Sequence, residues 1–285
     1  MKEKDIIVRS WKDYELIDSG DNRKLERFGE FVLVRPETQA LWRPARPDEW
    51  RRANAEFLWS DGKGAWRRKF IKEPWEFSWE DMKCVLRLTS FKHTGVFPEQ
   101  AANWAWLKER VEALGKPKVL NLFAYTGVAS IVAAQSGAAV THLDASKQSN
   151  AWAKENATLS EVPTDSIRYL LDDAVKFAER EARRGAEYEG IVLDPPAFGR
   201  GPNNEVWRIE EDLPKLLVAL AKIFSKKPRS FFLLNGYAAG YAPQSFVQAV
   251  ESIFPKANGE FGELRVQESA SDRCVPSGIY VRFTR

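Results

Sequence analysis

"IVLDPPAFGR", residues 191–200, sets a short apolar run against an acid, two prolines, an alanine, an aromatic ring and a glycine. An apolar run of this length bounded by turn residues reads as a buried strand. Its ending is less ordinary, because consecutive prolines hold the backbone stiff and offer no N–H to a neighbour. A plain surface turn also uses Asp and Pro, so the weight falls on what surrounds the stretch.

Working outward, strands and helices alternate. "KVLNLFAYTG" reads as a strand running into a loop, "VASIVAAQSG" as a small-residue helix stopped by Gly137, and "AAVTHLDAS" as the next strand. The helix "KQSNAWAKENATLS", the strand "SIRYLLDDA" and the charged helix "VKFAEREARRG" follow. Beyond the opening stretch come the helix "EEDLPKLLVALAKIFS", the strand "RSFFLLNGY" and the helix "APQSFVQAVESIF". Two closing strands, "GELRVQES" and "SGIYVRFT", have no helix between them and are expected as an antiparallel hairpin at the sheet edge. Residues 96–285 therefore read as an α/β domain with a mostly parallel sheet and helices on both faces. Residues 1–95 read as a small β-rich domain: "FGEFVLVRPE" and "KCVLRLTSF" alternate apolar and polar residues, and "SDGKGAW" (60–66) reads as a hairpin turn.

The chain of 285 residues carries a formal net charge of +3, with 44% hydrophobic and 29% charged residues, an ordinary globular balance. No apolar run is long enough to cross a membrane, and the first residues lack the apolar core of a signal peptide. Cys84 and Cys274 form neither a disulfide framework nor a metal cluster, and with only His93 and His142 besides, no metal site is expected. A reducing cytoplasm fits this usage. Within residues 41–72, Arg43, Arg46, Arg51, Arg52, Lys63, Arg67, Arg68, Lys69 and Lys72 outnumber the acids and interleave with Trp42, Trp50, Trp59 and Trp66. Such a mixture tracks phosphates and stacks on bases, or else it is a tryptophan core with a solvated basic rim.

In a sheet of this class ligands bind beyond the carboxyl ends of the strands. Four of those ends are polar. Asn121 leads into a loop in which Thr126 and Gly127 let the backbone approach a ligand at a helix start. Asp144 stands where an acid accepts both hydroxyls of a ribose, or caps the helix after Ser146. Asp172 and Asp173 suit an adenine amino group, or an N-cap. Asp194 ends the opening stretch. Together they outline an adenosine-shaped slot with a reacting centre beside Asp194.

"VLNLFAYTGVAS", the Asp144 strand end, "LDDA" and "LDPPAFGRG" together resemble the class I S-adenosylmethionine-dependent methyltransferases, and within them the subgroup similar to ribosomal-RNA large-subunit methyltransferases. The resemblance covers about residues 85–285. It implies a Rossmann-like methyltransferase domain, S-adenosylmethionine as methyl donor and RNA as substrate. It also implies donor contacts from Asn121, Phe123, Tyr125, Thr126, Gly127, Asp144, Ala145, Ser146, Asp172, Asp173 and Asp194. "FKHTGVFPEQ" is similar to a family segment lying against the donor, which adds His93, Phe97, Gln100 and, with a weaker match, Glu99. Pro98 and Glu99 depart from the aliphatic residue and Asp of many relatives. In members acting on amino groups, the acid and the first proline carbonyl accept from the target NH2 and the aromatic residue stacks on the substrate; here these are Asp194, Pro195 and Phe198.

Other members of the subgroup methylate cytosine C5 through a cysteine nucleophile near the following strand. The corresponding "FFLLNGYAAGY" has no cysteine, and Asn235 and Tyr237 there are candidates for substrate contact or for an edge turn. His93 reads as structural rather than as a base. "GPNNEVWRIEED" is either a loop folding over substrate or a helix lead-in. Rival readings are a small-molecule or protein acceptor, and a binding module with adenosine affinity but no turnover. A nicotinamide dehydrogenase lacks its glycine-rich phosphate cradle here.

Overall fold

Five apolar runs form a parallel sheet in the computed structural model, which describes residues 1–60, 63–237 and 240–285. The strands are β1 (Lys118–Leu122), β2 (Ala139–Asp144), β3 (Ile167–Leu171), β4 (Gly190–Leu193) and β5 (Phe231–Gly236). With β6 (Asn258–Gln267) and β7 (Cys274–Thr284), the order across the sheet is 3-2-1-4-5-7-6, and β7 lies antiparallel to β5. The helices are α1 (Ala101–Leu114), α2 (Val128–Gln135), α3 (Lys147–Leu159), α4 (Ala174–Arg183), α5 (Ile209–Ile223) and α6 (Pro243–Ile253).

Side chains alternate across a pleated sheet, and this sorts each strand. Leu122 pairs with Leu143 and Leu193, Leu143 with Leu170, and Leu193 with Leu234. This row of leucines packs against α4, α5 and α6 in one core. One residue further on, the row becomes Leu171, Asp144, Phe123, Asp194 and Asn235. The change from a leucine row to a row carrying two acids and an amide marks the end of the core and the start of the ligand face.

The expected closing hairpin is modified at the edge. β7 inserts between β5 and β6, and Lys2–Glu3 adds a short parallel strand outside β6, with Ile6–Val8 also pairing to it. The chain start thereby covers backbone groups that an edge strand leaves unpaired. Two residues are too few for a periodic signal.

The chain divides into two compact units. One comprises Met1–Ile6, Ala102–Glu263 and Gly278–Arg285, and the other Ile7–Ala101 with Leu264–Ser277. The second unit holds a five-stranded sheet, Tyr14–Gly20, Arg23–Phe28, Phe31–Pro36, Ala55–Ser60 and Lys63–Arg68 in that order, and the hairpin Trp75–Trp79 with Met82–Leu86. Asp21 and Asn22 turn the first hairpin with φ of 51° and 58°, the left-handed pair that such turns demand. The strands around "SDGKGAW" pair as expected, Ser60 opposite Lys63, while residues 61 and 62 of that turn lie outside the described residues. In the core of this unit Arg35 donates two hydrogen bonds to Glu26, at 2.7 and 2.9 Å, and the Tyr14 hydroxyl donates a third at 2.8 Å.

Candidate functional site

The site is built first from the loop after β1. Phe123 and Tyr125 have φ of 54° and 48°, a region that costs a bulky residue about 1–3 kcal/mol. Two contacts hold them there: Ala124 N donates to Leu143 O at 3.1 Å, and Tyr125 N donates to Asp144 Oδ2 at 2.8 Å. Gly127 follows at φ 85°, and a Cβ there would lie 2.9 Å from the Ala153 Cβ of α3. This glycine is required both by its turn and by the close packing of two helices. Thr126 is buried, its carbonyl accepting from Asn156 Nδ2 at 2.9 Å.

Beneath the loop lies a buried relay absent from the sequence reading. Asn121 Nδ2 donates to Ser130 Oγ at 2.8 Å, and Ser130 Oγ lies 2.9 Å from His142 Nδ1. Burial lowers the His142 pKa to about 3, so the ring is neutral. The nitrogen of the Asn121 amide, a residue expected to contact the ligand, is bonded inside the core to the helix that follows. A histidine in the middle of an apolar strand was the available signal for this relay.

Asp144 is half-buried, and each of its oxygens takes one backbone hydrogen bond: Oδ2 from Tyr125 N and Oδ1 from Ser146 N, both at 2.8 Å. Burial raises its pKa, and the two N–H groups offset only part of that rise. A carboxylate offers about four acceptor positions, so roughly two remain for a ligand diol. The cap of α3 is Ser146, whose Oγ accepts from Ser149 N at 3.1 Å; Ala145 lies between the two. At β3 the cap reading holds for Asp173, whose Oδ1 accepts from Lys176 N at 2.9 Å. Asp172 pairs with Arg180 and accepts from Asp173 N at 2.8 Å.

At the β4 end Asp194 is half-buried, Pro195 buried and Phe198 exposed. The two-proline segment is clamped from the far side. Trp207 Nε1 donates to Pro196 O at 2.7 Å, Ile209 N donates to Ala197 O at 3.1 Å, and the Trp207 ring packs on that of Phe123. "GPNNEVWRIEED" is neither a bare loop nor only a helix lead-in: Phe198–Arg200 and Val206–Arg208 pair as an antiparallel hairpin. At the β5 end Asn235 is 5% exposed and Tyr237 is 43% exposed. Asn235 Oδ1 accepts from Asn103 Nδ2 of α1 at 2.8 Å.

His93, Phe97 and Gln100 lie in the other unit. The His93 and Phe97 rings are 5.0 Å apart, and Pro98–Gln100 forms a single 3-10 turn in which Gln100 N donates to Phe97 O at 3.0 Å. Burial, with the charges of Arg35, Lys92 and Lys24, lowers the His93 pKa to about 3. Burial raises Glu99, against the pull of Lys24 and Arg35. The tryptophans of the basic segment separate by role. Trp42 donates to Ser19 O at 3.0 Å, Trp50 to Asp18 Oδ2 at 2.8 Å and Trp66 to Thr89 O at 2.9 Å, while Trp59 stays 60% exposed. Arg46, Arg51, Arg52 and Arg67 pair with Glu49, Asp48, Glu49 and Glu56.

Both cysteines are free thiols, and burial raises the pKa of each; Cys84 is fully buried. Among the described residues no group of three His, Cys, Asp or Glu is placed to hold a metal, and no helix is long and apolar enough to cross a membrane.

A family model described as S-adenosylmethionine-dependent methyltransferase matches residues 56–257. A crystal structure of a SAM-dependent methyltransferase from Agrobacterium tumefaciens is 41% identical, with a TM-score of 0.92, over 99% of this chain and 95% of that one. A structure from Streptococcus mutans described as a SAM-dependent methyltransferase is 18% identical with a TM-score of 0.74, over 96% of this chain and 75% of that one, and shares the fold. Among curated proteins, ribosomal RNA large subunit methyltransferase K/L of Shewanella frigidimarina is 34% identical over 54% of this chain. The matched region spans only 21% of that relative's length.

Proposed function

Because the chain belongs to the S-adenosylmethionine-dependent methyltransferase family, we propose that it methylates a base nitrogen of RNA, ribosomal RNA foremost, without a cysteine nucleophile. The observation that carries this reading is the braced acceptor pair at the end of β4: the Asp194 carboxylate beside the Pro195 carbonyl, on a segment clamped by Trp207. An acceptor pair on a rigid backbone suits an amino group, which has two N–H bonds to orient.

The methyl donor fits the β1–β2 side. Asp144 keeps acceptor capacity for a ribose diol, and the left-handed loop at residues 123–127 brings backbone to its edge. In this reading Phe123, Tyr125, Thr126, Gly127, Ala145 and Ser146 shape the donor cleft. Asn121 acts through Ser130, and Asp172 and Asp173 border the adenine end. When bound, the donor supplies an electrophilic methyl on a sulfonium, so that an N–C bond forms as a C–S bond breaks and its electron pair stays on sulfur. Asp194 and the Pro195 carbonyl accept the two amino N–H groups, turning the nitrogen lone pair toward the methyl carbon. Asp194 then takes up the proton that the methylated nitrogen releases. Phe198, exposed on its hairpin, stacks on the base. Catalysis here is positioning and electrostatic alignment.

Covalent chemistry at carbon needs a low-pKa thiol, whereas burial raises both Cys84 and Cys274. For RNA, exposed Trp59 stands among exposed Lys63, Arg67 and Arg68. The test is calorimetric titration with S-adenosylmethionine, followed by tritiated-methyl transfer to unmodified large-subunit ribosomal RNA, to total protein and to a metabolite pool. Incorporation into RNA alone is expected. Incorporation into protein or metabolites alone contradicts the RNA assignment, and binding with no transfer to any pool contradicts turnover.

A further inference from the structure

A chain of side chains crosses the sheet from its edge to the site. Arg282 of β7 pairs with Glu260 of β6, and its Nη1 donates to Asn103 Oδ1 at 3.1 Å. Asn103 Nδ2 donates to Asn235 Oδ1 at 2.8 Å. Three of these residues are buried, with Arg282 6%, Asn103 1% and Asn235 5% exposed.

The orientation of both amides follows from chemistry. A guanidinium only donates, so Asn103 must turn its oxygen to Arg282 and its nitrogen to Asn235. Asn235 must then meet that nitrogen with its oxygen. The group that Asn235 turns away from Asn103 is its Nδ2–H2, a donor. Leu193 and Leu234 are register partners, so Asp194 and Asn235 are the next residues on adjacent strands. The site thus sets a donor amide level with an acceptor pair.

Resting on the base-nitrogen reading above, we propose that Asn235 is a specificity-determining residue: its Nδ2–H donates to an unprotonated ring nitrogen adjoining the amino group that Asp194 and Pro195 hold. The substrate is then a base read by an amidine edge, an NH2 beside a bare ring nitrogen, as adenine, cytosine and guanine can each present and uracil cannot. Asn103 is the positioning residue that sets the polarity of Asn235 from behind.

Polarity makes the proposal testable without touching the acid. Asn103→Asp preserves the links to Arg282 and Asn235, since the new carboxylate pairs with Arg282 and Asn235 rotates its amide to donate to it. That rotation turns Asn235 Oδ1 toward the substrate and places oxygen against ring nitrogen. We expect unchanged or higher Tm and unchanged affinity for S-adenosylmethionine, while kcat/KM on unmodified large-subunit ribosomal RNA falls by about 10- to 100-fold, the effect of one opposed hydrogen bond. Asn235→Asp, an acceptor in either orientation, should fall as far. A merely structural relay predicts loss of Tm with turnover intact in the molecules that remain folded. Wild-type kcat/KM in folded Asn103→Asp and Asn235→Asp overturns the inference alone, with the wild-type enzyme still methylating a base amino group. No wild-type transfer to any base amino group overturns the functional reading and the inference with it.

Discussion

Trp207 donates its indole N–H to the carbonyl oxygen of Pro196 over 2.7 Å. The bond occupies the Pro196 carbonyl, and it ties the proline segment to a ring that also packs 4.8 Å from Phe123 in the β1 loop. One side chain thus braces the residues assigned to the acceptor against those assigned to the donor.

Trp207→Phe keeps the ring contact and removes the N–H. It should leave affinity for S-adenosylmethionine unchanged and lower kcat by about 10-fold or more, because small misplacements at the reacting centre are costly. Steady-state kinetics with calorimetry separate the two. Weaker donor binding with unchanged kcat contradicts the bracing role.

Asp144→Ala removes the acceptor for Tyr125 N and Ser146 N as well as the ligand contact. Donor affinity should fall by about 100-fold, and stability by about 1–3 kcal/mol from the orphaned N–H groups. Titration of the folded variant checks the first figure and urea unfolding the second.

Gly127→Ala forces a side chain into a left-handed position and against Ala153. Destabilisation of about 1–3 kcal/mol is expected, with loss of donor binding in proportion to distortion of the loop. An alanine variant with wild-type Tm contradicts the packing argument.

Glu26 supplies a pH signature. Burial pushes its carboxyl up, but the charges of Arg35 and Lys24 outweigh burial and hold it at about 2, below its usual 4.5. A carboxyl depressed in the folded state stabilises above its unfolded pKa and loses that contribution as pH falls through the folded one. Stability on the order of 3 kcal/mol should therefore drain between about pH 4.5 and 2. Glu26→Gln should flatten this acid limb while destabilising the protein at neutral pH, where Arg35 is left buried without its partner. Unfolding curves across pH test both.

Trp59→Ala should weaken RNA binding by about 1–3 kcal/mol with little change in Tm, the cost of one lost stacking contact. Trp50→Phe should do the reverse, because its indole is tied to the buried Asp18 carboxylate. Filter binding in parallel with thermal unfolding distinguishes them.

The strand ends were legible because an acid after an apolar run has few reasons to be there, and Asp144 and Asp194 stand level at the edge of the leucine row. Asp173 was legible only as an alternative, since a cap and a ligand contact both need an acid just before a helix. The basic segment could not be divided by sequence, because Trp42 and Trp66 bond to backbone carbonyls, which leave no mark on residue type. The relay behind Asn235 was illegible for another reason. Its members are 179 and 132 residues apart, and the insertion of β7 beside β5 is what brings Arg282 into line with the Asn103–Asn235 pair.

The most direct measurement is nucleoside mass spectrometry of unmodified large-subunit ribosomal RNA after incubation with the protein and donor carrying a trideuterated methyl. The label is predicted on the exocyclic nitrogen of a single nucleoside type, and to vanish in Asp194→Ala. Label on ribose, on C5 of a pyrimidine, or persisting in Asp194→Ala would contradict the account.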